Sequence, residues 1–70
     1  MNNFSKNLKY YRLQKKLTQK EMADFLNITP NAYQKYEYGK REPLLNNLIK
    51  LADFFNVSLD DLVGRKFHKD

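Results

Sequence analysis

Cysteine is absent from the sequence. That excludes disulfides, iron–sulfur clusters and zinc sites built on thiolates. Histidine occurs once, as His68, and a single imidazole cannot form a metal cage or a nucleophile, base and orienter. No metal and no cofactor is therefore expected, and nothing in the pattern converges as an enzyme's acid, base and nucleophile. Long apolar runs are missing too: the hydrophobic fraction of 41% is that of an ordinary soluble globule, and no stretch approaches a membrane span. No membrane partner is expected. The opening residues Met1-Asn2-Asn3-Phe4-Ser5-Lys6 are followed by no apolar segment of a secretory signal, so a cytoplasmic location is the expectation. Glycine and proline number two each, and they sit at boundaries between apolar-periodic stretches, as the punctuation of short helices does.

What is present is charge in a short chain. Seventy residues make one domain, expected over 1–64, with a short basic tail at 65–70. Lysine and arginine total 13 against 8 acids, a net charge of +5. Such an excess suits a polyanionic partner, although ribosomal, membrane-surface and merely well-solvated proteins share it. Its distribution is more telling. Lys6, Lys9, Arg12, Lys15, Lys16 and Lys20 meet no acid before Glu21, whereas Leu51 to Gly64 carries Asp53, Asp60 and Asp61 without a base. An electrically two-sided molecule is expected.

Apolar residues recur at helical spacing in five stretches, and no stretch shows sustained alternation. An all-α, compact five-helix bundle follows. Phe4, Leu8 and Tyr11 mark the first helix, with Leu17 closing the loop behind it. Thr18-Gln19-Lys20-Glu21 is a capping box that opens the second, whose inner face is Met22, Ala23 and Leu26. Asn27 tolerates the left-handed turn that ends it. Thr29 caps the third helix and Pro30 fits its first position, where no N–H is needed. Tyr33 and Tyr36 face inward and Gly39 stops it, before the basic turn Lys40-Arg41-Glu42 and Pro43. Leu45, Leu48, Ile49, Ala52 and Phe55 make a fourth helix ended by Asn56. Ser58 caps the fifth through a second box with Asp61, and Leu59, Leu62 and Val63 are expected to face inward.

The segments Thr18 to Leu26 and Thr29 to Tyr38 are separated by almost nothing. Helices joined by so short a turn cross steeply, which holds the second one out by its N-terminal half. That is the geometry that lays a helix into a DNA major groove. Thr29, Asn31, Gln34 and Lys35 carry suitable groups: amides pair with adenine, a lysine reaches guanine O6 and N7, and a threonine methyl meets a thymine methyl.

Taken in order, Leu8, Arg12, Leu17-Thr18-Gln19, Met22-Ala23, Leu26, Ile28-Thr29, Tyr33, Glu37-Tyr38-Gly39-Lys40-Arg41, Pro43 and the run from Leu48 to Leu62 follow a family pattern. The chain resembles the Cro and phage-repressor-like helix-turn-helix family of the Xre type, from about Phe4 to Val63. The resemblance implies a lambda-repressor-like DNA-binding domain that acts as a homodimer on an operator with two half-sites. It places a phosphate-gripping residue at Gln19, base-reading positions at Pro30, Asn31, Gln34 and Lys35, and backbone contacts at Tyr38, Lys40 and Arg41. Pro30 has no donor, so its contact can only be apolar. Arg12 and Glu37 match a partly buried ion pair joining the first helix to the third, with an edge of Arg12 left toward phosphate. Three positions depart from the pattern: Asn27 stands where the turn usually has glycine, Leu44 where a Ser or Thr cap precedes the fourth helix, and Phe25 where a surface residue is usual.

The functional expectation is a sequence-specific regulator of transcription that binds double-stranded DNA, a homodimeric repressor with Leu44, Val57 and Ser58 at the dimer surface. The alternative is an antitoxin-like or adaptor module whose partner is another protein, with DNA binding secondary; Leu44, Phe25 and Phe67 are its features. Tyr11, Tyr33 and Tyr36 are core at their spacing, while Tyr10 and Tyr38 are free for a ligand. Thr18 and Ser58 are caps. Asp60 and Asp61 complement a helix dipole and do not face one another for acid–base work.

Overall fold

The computed structural model describes residues 3–65. Five helices and no strand occupy this span: α1 (Phe4–Gln14), α2 (Gln19–Leu26), α3 (Pro30–Glu37), α4 (Leu45–Phe55) and α5 (Leu59–Val63). The all-helical expectation holds. Phe67 and His68, named above, lie outside the described residues.

The helix starts are built from short polar side chains. The Thr18 hydroxyl accepts from the Glu21 N–H at 3.0 Å while Glu21 Oε1 accepts from the Thr18 N–H at 2.8 Å, which completes the capping box. Thr29 Oγ accepts from the Ala32 N–H and Ser58 Oγ from the Asp61 N–H, so the second box expected with Asp61 forms only its Ser58 half. Leu44 occupies the N-cap of α4 and supplies no side-chain bond. Asn27 and Asn56 end α2 and α4 in the left-handed conformation, at φ 58° and 57°. Lys16 does the same in the turn after α1, at φ 58°.

The core draws on every helix: Phe4 and Leu8 from α1, Met22, Ala23 and Leu26 from α2, Tyr33 and Tyr36 from α3, Leu51, Ala52 and Phe55 from α4, and Leu62 from α5. Full burial of each large apolar side chain contributes about 1.5–3 kcal/mol. Tyr11, Leu17, Leu48 and Val63 close over this cluster as half-buried residues. α1 packs on both α3 and α5, α2 packs on α3, and α4 on α5. The expectation that Leu59 faces inward is corrected: it is 39% exposed, because α5 has five residues and turns one side only, that of Leu62, into the core. The end of the domain is tied to its start. Asn7 Nδ2 donates to the Asp61 and Leu62 carbonyls, and the Arg65 N–H donates to the Asp60 carbonyl at 2.9 Å.

Candidate nucleic-acid interface

Residues 27–29 are all that separate α2 from α3. The left-handed Asn27 reverses the chain, the Ile28 N–H donates to the Ala23 carbonyl at 3.0 Å, and the Ile28 side chain packs against the core. α3 then leaves the turn with Tyr33 and Tyr36 buried beneath it. Its other side is at the surface: Thr29, Pro30, Asn31 and Lys35 are exposed and Gln34 is half-buried. Beyond α3 the chain folds back on the same helix. The Lys40 and Arg41 N–H groups both donate to the Lys35 carbonyl, which sets two exposed cationic side chains, with the exposed Tyr38, beside the end of α3.

Behind this surface one carboxylate joins three helices. Glu37 Oε2 accepts from Arg12 Nε at 2.6 Å and from the Tyr33 hydroxyl. Its Oε1 accepts from Arg12 Nη2 and from Gln19 Nε2, each at 3.1 Å. Arg12 Nη1 is turned to the Leu17 carbonyl at 2.8 Å, closing the loop between α1 and α2. The Glu37 side chain is 1% exposed and that of Arg12 10%. Burial alone would raise the Glu37 pKa, but the bonds donated by Arg12, Tyr33 and Gln19 outweigh it and hold the carboxyl below its ordinary value. The bond to Glu37 raises the Arg12 pKa against the opposing effect of burial. The Tyr33 phenol is pushed up, first by burial and then by its bond to the Glu37 anion.

The helix-turn-helix family model matches residues 8–62, a span that contains both helices, the turn and the whole Glu37 cluster. The chain belongs to the helix-turn-helix family. An uncharacterized HTH-type transcriptional regulator, YqaE, of Bacillus subtilis (strain 168) is 55% identical over 60 residues, which cover 86% of this chain and 52% of the relative. The cryptic phage CTXphi transcriptional repressor RstR of Vibrio cholerae serotype O1 (strain El Tor Inaba N16961) is 46% identical over 48 residues, 69% of this chain and 43% of that one. A transcriptional regulator from Listeria innocua, known from its crystal structure, superposes with a TM-score of 0.88 at 30% identity, over 94% of this chain and 62% of that chain. The chain thus spans about half the length of the curated relatives it matches.

On this helix-turn-helix unit the residues singled out from the sequence fall in three groups. Thr29, Pro30, Asn31, Gln34 and Lys35 share the outer side of α3, though the Thr29 hydroxyl is spent on its cap and Gln34 is partly covered. Tyr38, Lys40 and Arg41 stand beside them. Arg12 and Gln19 lie behind, joined to Glu37, so the ion pair is part of a larger cluster than the sequence indicated. The Tyr33 hydroxyl and the Gln19 bond to Glu37 were not foreseen; the four-residue spacing of Tyr33 and Glu37 within one helix was the available signal.

The apolar departures separate. Phe25 lies against Phe54 with ring centroids 4.6 Å apart, and Lys15 Nζ sits 5.1 Å from the centre of the Phe54 ring. Leu44, at 80% exposure, is covered by none of the described residues, and Leu45 and Ile49 beside it are 61% and 42% exposed. Val57 is half-buried and Ser58 exposed. Among the described residues no group of three or more His, Asp or Glu is placed to hold a metal, and no helix is long and apolar enough to cross a membrane.

Proposed function

We propose that this helix-turn-helix unit binds double-stranded DNA in a sequence-specific way and represses transcription as a homodimer in the cytoplasm. The observation that carries the reading is the outer side of α3, where Asn31 and Lys35 stand exposed over a base of buried tyrosines. Entered into a major groove by its first turn, α3 would present Pro30, Asn31, Gln34 and Lys35 to base edges. Gln19 at the first turn of α2 would meet a phosphate, as a helix N-terminus favours. Tyr38, Lys40, Arg41 and the remaining edge of Arg12 would hold the backbone. The name of the V. cholerae relative, a phage repressor, supports repression.

Two copies would read half-sites about 34 Å apart on one face of the duplex. Leu44, Leu45 and Ile49 with Val57 and Ser58 are the surface assigned to that contact. The test is titration of random and selected duplexes against salt. Binding to random duplex that weakens linearly in log–log form with salt, and a selected consensus with two half-sites, are the expected results. No binding at low ionic strength would overturn the reading. An adaptor or antitoxin role draws on the same bare α4 face, and a second protein that co-purifies in place of a second copy would favour it.

A further inference from the structure

The Glu37 carboxylate faces no solvent, yet it is bonded to two residues assigned above to DNA, Arg12 and Gln19. Its two oxygens take two donors each: Arg12 Nε and the Tyr33 hydroxyl on Oε2, Arg12 Nη2 and Gln19 Nε2 on Oε1. An ionised carboxylate offers about four acceptor sites. Glu37 is therefore saturated and has no capacity to accept from a base, so any effect it has on DNA must pass through its donors. Tyr33 is fully buried and the Arg12 side chain nearly so. Gln19 is more exposed than Arg12 and stands at the first residue of α2, where backbone N–H groups are unpaired by the helix.

We propose that Glu37 is a positioning residue for DNA binding, acting through Gln19. A glutamine amide carries two N–H groups. With one held by Glu37 at 3.1 Å, the other has a set direction, and the side chain is ordered before any ligand arrives. Because Glu37 ends α3 and Gln19 begins α2, the same bond fixes a phosphate donor relative to α3. Arg12 neutralises the carboxylate, so the anion behind Gln19 does not repel a phosphate in front of it. The proposal rests on the DNA-binding reading of the previous section.

The experiment combines the Gln19 side-chain amide resonances of the free protein with duplex affinities of Gln19→Ala, Glu37→Gln and the double variant. In the unsubstituted protein the two amide protons should be well separated, with one protected from exchange, and addition of duplex should move the other. Gln19→Ala should weaken binding roughly fivefold to tenfold, as for one hydrogen bond. In the Glu37→Gln background the same substitution should have little further effect. Two effects that multiply independently would overturn the proposal while leaving DNA binding intact. The resonance measurement needs no variant, so coincident, unprotected Gln19 protons would overturn it even if Glu37→Gln failed to fold. Failure of the unsubstituted protein to bind any duplex would instead overturn the functional reading, and this proposal with it.

Discussion

Glu37 shows how the energetics of one side chain become a dependence on pH. Its pKa in the folded chain lies below the ordinary 4.5, so as pH falls the unfolded chain takes up a proton before the folded one does. Stability contributed by Glu37 is therefore full above about pH 5 and is lost as pH falls through the folded value. Glu37→Gln should flatten this acid loss in urea titrations at neutral and acid pH. It should also lower neutral stability by about 3 kcal/mol, because Arg12 is left buried without its counter-ion. Tyr33 gives the opposite sign. Its raised pKa means stability is full below the ordinary value of 10.0 and is lost above it, so Tyr33→Phe should remove an alkaline loss while costing about 1.5 kcal/mol at neutral pH for a bond to a charged acceptor. The Arg12 and Glu37 pair was legible in the sequence through the resemblance. The Tyr33 hydroxyl was not, because apolar spacing places a ring in the core and is silent about where its polar tip ends.

At the level of elements, caps were the most legible feature and bare faces the least. Thr18, Thr29, Ser58, Asn27 and Asn56 do locally what their side chains favour in any helix. Lys16 is different, since a lysine has no preference for the left-handed region it adopts. The reach of Leu17 back to α1, through its N–H to the Arg12 carbonyl and its carbonyl to Arg12 Nη1, imposes that conformation from outside. Lys16→Gly should relieve about 1 kcal/mol of strain, offset in part by glycine's unfolded entropy, and raise Tm by a few degrees. Gly64→Ala should do the reverse by more than about 1 kcal/mol, because φ is 75° and a Cβ there would stand 2.8 Å from Asn3 Cβ. In α4 the apolar residues exceed one face. Leu51, Ala52 and Phe55 took the core and Leu45 and Ile49 did not, a division that depends on where α1 and α5 lie and that periodicity alone cannot make.

The whole molecule carries net charge +5, and its use is testable through salt. Lys40→Ala should weaken binding to all duplexes alike and reduce the log–log salt slope by about one, while Asn31→Ala should relax one base position at about 1–3 kcal/mol with the slope unchanged. The proposed assembly turns on Leu44, where two demands oppose one another. As N-cap of α4 it supplies no side-chain bond: Leu44→Ser should add about 1 kcal/mol to the fold by accepting from an N–H of the first turn. As an exposed apolar residue beside Leu45 and Ile49 it belongs to the proposed contact between copies, which Ser would weaken. The two effects separate by concentration, because association raises Tm by mass action and capping does not. The unsubstituted protein should show Tm rising with protein concentration and a dimer in sedimentation. Leu44→Ser should melt higher when dilute yet gain less on concentration, and sediment lighter. A variant that melts higher by the same amount at every concentration, with self-association intact, would move the dimer contact away from the start of α4.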